Sequence, residues 1–496
     1  MQLFRTPFPP SPKARWPRRS ALALSLALLS ATAAAQDAAS PPAPDDIAER
    51  LRIVERRLGI AADEGTARTD LAELDRRLRA IELGLDERDR QSALAAAPTP
   101  AERKQGPEIT LAADKGASIR SADGSVQLKL GVLAQADHRI FIDDEQRPQN
   151  DTFLWRRIRP TLQGSWGELV GFRITPELAG DGASIVDAYI DLKFSPAATL
   201  RVGKVKGPVA LERLQSGPAT AFVERGFPTE LAPNRELGLQ LQGALAKSKL
   251  SYVVGVYNGA PDGRDSPTTN PDDDFEFAGR LFFEPWKGSD GALSGLGFGI
   301  AGSTGDKTGA GNSFLPRYRT QGQATFFSYL GTVVADGEHT RWSPHAYWYA
   351  GPVGLLGEYI RSKQEVVDTA TAARASLDHS AWSLSGRWVV TGEKASHRGV
   401  KPHRPFAPGA DGGWGAFELV ARYGELDVDD AAFPLFASPS ASASEASAWA
   451  LGLNWYPTGH LKLAASYGHT SFTGGGPGGG DRQDEKIFFT RAQFAF

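Results

Sequence analysis

A set of basic residues has the type and placement to handle anions: Arg157, Arg159, Arg201, Lys204, Lys206, Arg213, Arg225, Arg235 and Arg387. Arg157 and Arg159 recur at a spacing of two, in step with Thr161 and Gln163, while Leu154, Ile158 and Leu162 share the alternate places. In an extended strand this spacing puts the arginines on one face and the aliphatic residues on the other. Arg156 breaks the alternation, which points to an interface position or a bulge. Arg201, Lys204 and Lys206 lead into a long irregular segment, 207–236, that carries Arg213, Arg225 and Arg235. Cations held in a narrow, low-dielectric constriction focus the field and raise the local anion concentration. The same segment holds Glu212, Glu224, Glu230 and Glu236, so salt bridges that merely brace it are the competing reading. Parity around Gly203 leaves the directions of Lys204 and Lys206 open.

The elements that position these residues are strands. Sixteen are expected, near 126–137, 153–164, 169–176, 185–193, 200–206, 237–245, 249–258, 275–285, 295–304, 339–350, 353–366, 379–391, 414–428, 446–456, 461–472 and 485–496. The apolar stretch Ala324 to Val334 is placed in a long loop. Parity adds inward residues: Asp187, Tyr189, Asp191 and Lys193; Ser383, Ser385 and Arg387; Glu418 and Arg422; Lys462 and Ser466. The last strand carries Phe488, Thr490, Ala492, Phe494 and Phe496 on one face, with Ile487, Phe489, Arg491, Gln493 and Ala495 on the other. A strand of about ten residues, greasy outside and mixed inside, suits a bilayer-spanning barrel. Short turns alternate with long polar loops, the pattern of an outer-membrane barrel with periplasmic turns and extracellular loops. The link 392–413 breaks this pattern, being long and basic where a short periplasmic turn belongs. Trp342, Trp348, Tyr349, Trp382, Trp388, Trp455 and Tyr456 crowd strand ends, as interfacial girdles do.

The fold class expected is all-β: a 16-stranded antiparallel transmembrane β-barrel, residues 126–496, preceded by a helical coiled-coil arm. Residues 1–35 read as a signal peptide, with Arg15, Arg18 and Arg19 ahead of a short apolar run and Ala33-Ala34-Ala35 as the cleavage site. The flanks of Arg18-Arg19 do not suit a twin-arginine signal, so general secretion is expected. A Pro/Ala linker, 36–44, leads to the arm at 45–94. There Ile47, Leu51, Val54 and Leu58, then Leu71, Leu74, Leu78, Ile81 and Leu85, step by three and four. Such short heptad blocks make sense as a periplasmic clamp on an oligomer held together elsewhere. Residues 95–125 read as a second linker. No run of apolar residues is long enough for a membrane-crossing helix. The chain has 0 Cys, which excludes thiol catalysis and Cys-based metal sites. The formal net charge of −3 gives no sign of a nucleic-acid partner, so any anion attraction must come from local placement of charge.

Several stretches resemble the phosphate-selective porin O/P family. They are Phe153-Leu-Trp-Arg-Arg-Ile-Arg-Pro160, Asp187-Ala-Tyr-Ile-Asp-Leu192, and Arg201-Val-Gly-Lys-Val-Lys-Gly-Pro-Val-Ala-Leu-Glu-Arg-Leu-Gln-Ser216. Phe222-Val-Glu-Arg225, Ala232-Pro-Asn-Arg-Glu236 and Gly351-Pro-Val-Gly-Leu-Leu-Gly-Glu-Tyr359 are also similar. The resemblance covers roughly residues 120–496 and implies a trimeric, sixteen-stranded outer-membrane porin with anion preference. It implies a ladder of basic residues along the pore and a cluster at a constriction, with Arg157, Arg159, Arg201, Lys204, Lys206, Arg213 and Arg225 in the matching motifs. The chain departs from the family in having no Lys between Gly207 and Arg235. Loop lysines serve the family's best-known phosphate channels, so general anion preference is the expectation here.

The function expected is therefore passive diffusion of small anions, phosphate or related oxyanions foremost, with outer-membrane lipid as surroundings and no cofactor. Arg and Lys donors would replace part of an anion's hydration shell at several weak sites, so that the ion can leave. A general or sugar-type porin with little anion selectivity is the alternative, with Tyr189 as a stacking surface. An enzyme is disfavoured. Ser343 and His345 are only i, i+2 neighbours, and no orienting acid or oxyanion donors accompany them. His397 and His403 lie in a polar turn and read as solvated.

Overall fold

The computed structural model describes residues 106–112, 116–310, 314–409 and 412–496. The signal segment and the heptad arm lie outside these residues. Twenty strands follow in order: β1 Glu108–Ala112, β2 Gly116–Arg120, β3 Val126–Ile142, β4 Thr152–Trp166, β5 Val170–Glu177, β6 Ser184–Ser195, β7 Ala198–Val205, β8 Glu236–Leu245, β9 Leu250–Tyr257, β10 Glu276–Phe283, β11 Leu296–Ala310, β12 Arg317–Arg319, β13 Thr325–Ser328, β14 Val333–Ala350, β15 Val353–Asp368, β16 Arg374–Val389, β17 Ala416–Asp427, β18 Ala443–Tyr456, β19 Leu461–Gly474 and β20 Glu485–Ala495. Setting aside the hairpins β1–β2 and β12–β13, the remaining sixteen pair antiparallel, each with its sequence neighbours. β20 closes the ring by pairing with β3, from Lys486↔Ile142 to Ala495↔Leu133. Closure satisfies the edge amides and carbonyls that lipid cannot.

The C-terminal residue completes this seam. Phe496 N–H donates to Val132 O at 3.1 Å, and Phe496 O accepts from Val132 N–H at 3.2 Å. Ile487, Phe489, Arg491 and Gln493 are buried inside, whereas Phe494 and Phe496 are exposed outside. Just beyond the point where β20 stops, the hairpin β1–β2 takes over the free edge of β3, from Ala117↔Leu130 to Arg120↔Gln127. The span read as a linker, 95–125, thus contains paired strands; Ile109 facing Ile119 across β1–β2 gives them an apolar cross-strand pair. The stretch placed in a long loop, Ala324 to Val334, supplies β13, which pairs with β12, and then the start of β14.

One face assignment is corrected. Leu154 lies on the inner face, opposite the buried Asp137, and not with Ile158 and Leu162. The register jumps from Gln135↔Arg157 to Ala136↔Trp155, so Arg156 is the extra residue of a β-bulge. A bulge turns two successive side chains the same way and reverses parity beyond it. Arg156 and Arg157 therefore both reach the lumen, and Phe153 and Trp155 take the outer face. Trp342 and Trp388 are exposed on the outer wall, as a girdle requires. Tyr456 instead turns inward, its hydroxyl donating to Glu418 Oε2 at 2.8 Å, and Tyr349 packs in the same inner cluster.

The bore is filled by chain. Segment 206–235 enters it and is almost wholly buried. Its apolar residues Val209, Leu211, Phe222, Phe227 and Leu231 remove themselves from water, while prolines at 208, 218, 228 and 233 keep it irregular. An irregular buried segment needs partners for its backbone, and the opposite wall supplies them. Lys462 Nζ donates to Thr220 O at 2.7 Å, Asn454 Nδ2 to Ala221 O at 2.8 Å, Arg491 Nη1 to Val223 O at 2.6 Å and Gln493 Nε2 to Pro218 O at 3.2 Å. Glu358 accepts from the amides of Leu211 and Glu212. At one end of the bore an apolar cluster joins Phe227, Phe314, Tyr318, Phe326, Phe327 and Phe436 to Ile360, Leu377 and Leu426 of the wall.

Candidate functional site

Two cavities in the bore receive most of the basic residues singled out in the sequence. The smaller, about 50 Å³, is ringed by Arg156, Arg157, Arg213, Arg225, Arg319 and Arg422, with Glu224 and Glu230. The larger, about 660 Å³, is bordered by Arg159, Arg173, Arg201, Lys206 and Arg235, with Asp187 and Tyr189. We call them the eyelet and the vestibule.

In the eyelet the expected cations are held by neutral groups. Arg157 Nη1 donates to Gln135 Oε1 at 2.6 Å. Arg225 donates from Nε to Glu212 O and from Nη2 to Gln215 O, both at 2.9 Å. Arg213 donates to Asn234 Oδ1 at 3.0 Å and to Thr229 O. None of these three forms an ion pair among the described residues. Burial draws the pKa of Arg213 down to about 10. Burial, reinforced by neighbouring Arg213, draws Arg225 down to about 9. Both guanidinium groups remain charged at neutral pH. Arg213 Nε and Arg422 Nη2 are buried donors with no hydrogen-bond partner among the described residues.

In the vestibule and around it the expected cations are mostly neutralised. Arg159 Nε meets Glu177 Oε2 at 2.7 Å. Arg201 makes a two-pronged contact with Asp191, at 2.6 and 2.9 Å. Arg235 pairs with Asp187 at 3.3 Å. Lys206 is the exception, its Nζ donating to Leu214 O at 3.2 Å and Gln215 O at 2.9 Å. Lys204 and Arg387 border neither cavity. Lys204 shares the face of the outward Val202 and meets Asp265 at 3.3 Å. Gly203 causes the local ambiguity: its φ is +131°, and a Cβ there would lie 2.2 Å from Ala188 O. Arg387 approaches Glu418 at 3.5 Å and donates to Ser396 O at 3.2 Å.

Arg156, Arg319, Arg422, Glu224 and Glu230 belong to the eyelet but were not among the site residues expected from sequence. Arg422 was legible as an inward residue, and Arg156 as a break in alternation. Arg319 gave no signal, since its strand, β12, is only 3 residues long and too short to show an alternation. His397 is not solvated: its ring stacks on Tyr347 at 5.2 Å, and its carbonyl accepts from Gln215 Nε2 at 2.8 Å. The long link 392–413 thus reaches up to the constriction loop. Ser343 and His345 stand 3.5 Å apart, and Ser343 also contacts Glu358, the acceptor of the Leu211 and Glu212 amides.

A closed antiparallel barrel, apolar outside and narrowed within by an inserted loop and a ring of arginines, is a diffusion channel of an outer membrane. The model of the family described as phosphate-selective porin O and P matches residues 126–496, and the chain belongs to that family. It is an outer-membrane porin of the anion- and phosphate-selective class. Porin O of Pseudomonas aeruginosa is 24% identical over 421 residues, 79% of this chain and 93% of that one. A Caulobacter vibrioides protein described only as uncharacterized is 26% identical over 397 residues, 77% of this chain and 74% of that one. Among solved structures, the anion-selective porin from Comamonas acidovorans aligns with a TM-score of 0.49 at 12% identity, over 75% of this chain and 100% of that one.

Proposed function

We propose that the chain passes small oxyanions, phosphate or related ions, by handing them between arginines at the eyelet. The observation that carries this reading is the convergence of Arg156, Arg157, Arg213, Arg225, Arg319 and Arg422 on one cavity of about 50 Å³, where the buried Arg213 Nε and Arg422 Nη2 have no hydrogen-bond partner among the described residues. Planar guanidinium groups present paired donors that match an oxyanion and gain less from a bare halide. The remaining cations, Arg159, Arg201, Lys206 and Arg235, line the approach. Lys204 and Arg387 act on that path only at a distance. The sugar-type alternative is weakened because Arg201 already covers the Tyr189 ring at 3.8 Å. We place the heptad arm, 45–94, in the periplasm, as a clamp on a homotrimer, with residues 1–35 removed on export. The test is a planar-bilayer measurement. A reversal potential in a potassium chloride gradient that favours chloride, and a chloride current blocked by added phosphate, are expected. Cation preference, or no block by phosphate, overturns the reading.

A further inference from the structure

The eyelet contains its own anion. Glu224 lies on the inserted loop and its side chain is only 6% exposed. Its carboxylate meets Arg156 Nε at 2.6 Å and Arg156 Nη2 at 3.1 Å, a two-pronged contact. Arg139 Nη2 stands 3.5 Å away and Arg491 Nη2 3.7 Å away. Glu224 also borders the cavity that Arg157, Arg213, Arg225 and Arg422 line. Its main chain is fixed independently of the carboxylate. Arg422 Nη1 donates to Glu224 O at 3.1 Å and Arg491 Nη1 to Val223 O at 2.6 Å. Burial by itself would raise its pKa, but Arg156, Arg157 and Arg491 outweigh burial and hold the carboxyl well below the usual range. It is therefore a fixed negative charge at neutral pH.

We propose that Glu224 is a specificity-determining residue: a tethered counter-anion that competes with passing oxyanions for the eyelet guanidinium groups, weakening their hold so that the solute leaves. The proposal rests on the reading of the eyelet as the anion path. The competition follows from the donors. Arg156 spends both prongs on Glu224, and Arg139 and Arg491 lean toward the same oxygen. A solute oxyanion in the cavity meets a like charge fixed on its wall. Without that charge the same arginines would bind an oxyanion more tightly and release it more slowly. A channel needs sites weak enough to empty.

The test is Glu224→Gln in planar bilayers, with inorganic phosphate as the probe. Glutamine keeps the shape, and its carbonyl oxygen still accepts from Arg156. The expected result is that the phosphate concentration halving the chloride current falls about tenfold, the change expected when one buried like charge is removed. Phosphate dwell events should lengthen in step. Glu224→Asp keeps the charge one methylene further from Arg156, and it should fall between the native channel and Glu224→Gln. An unchanged half-blocking concentration in Glu224→Gln, in a channel whose native form prefers anions and is blocked by phosphate, overturns the role of Glu224 alone. A native channel without anion preference or phosphate block overturns the eyelet reading beneath it. If Glu224→Gln does not insert, Glu224→Asp decides: weaker block than native or no change overturns the proposal.

Discussion

The eyelet and the vestibule hold similar numbers of cations and differ in how far carboxylates match them. In the eyelet Arg156, Arg319 and Arg422 pair with Glu224, Glu230 and Glu212, and the other three arginines form no ion pair among the described residues. In the vestibule, Arg159, Arg201 and Arg235 each meet a carboxylate at 3.3 Å or closer. In the eyelet, Arg157, Arg213 and Arg225 meet only amide and carbonyl oxygens. A guanidinium already matched to a carboxylate has little left for a solute, because the pair's fields cancel over a short distance. One held by neutral acceptors keeps its full charge and is positioned without being neutralised. Counting basic residues along the bore therefore overstates the vestibule more than the eyelet.

The largest effect should come from striking the unneutralised set. Arg213→Ala with Arg225→Ala should lower the chloride-to-potassium permeability ratio by about tenfold or more, since two charges leave a low-dielectric constriction. Reversal potentials in a salt gradient measure it; a ratio within about twofold of native breaks the comparison. Acid should act next, through the link 392–413. Burial, together with Arg387, Arg280, Lys206 and Arg398, lowers the pKa of His397 to about 4. The docked link thus favours neutral imidazole. Its hold is complete above the ordinary value of about 6.5 and is lost as pH falls toward the lowered one. Single-channel conductance should rise across that window when the side bearing this link is acidified, and His397→Phe should flatten the response. A smaller effect is expected from removing a neutralised pair. Arg201→Ala with Asp191→Ala should leave the permeability ratio within about twofold, the range of a screened ion pair. Lys204→Ala should change selectivity least, because Lys204 borders neither cavity and is already matched to Asp265 at 3.3 Å.

Much of this was legible in the sequence because a strand's alternation is local. The sixteen wall strands, the inward Arg387, Glu418, Arg422, Lys462 and Ser466, and the outward Phe494 and Phe496 follow from a period of two. The period fails where the backbone departs from it. The bulge at Arg156 sent Leu154 inward, and Gly203 with its positive φ obscured Lys204 and Lys206. The eyelet itself has no period. Arg319, on the short strand β12, and Glu224, on the inserted loop, reach the same cavity from segments far apart in the chain, and no local pattern records that meeting.

The sequence by itself determined a strand-built wall, its two faces and the stock of cations on the inner one, since side-chain direction in a strand depends only on neighbouring residues. The tertiary structure decided which of those cations stay unneutralised, since that depends on which carboxylates the inserted loop and the opposite wall bring within reach. Charge is a property of a residue, but the field in a bore belongs to the arrangement.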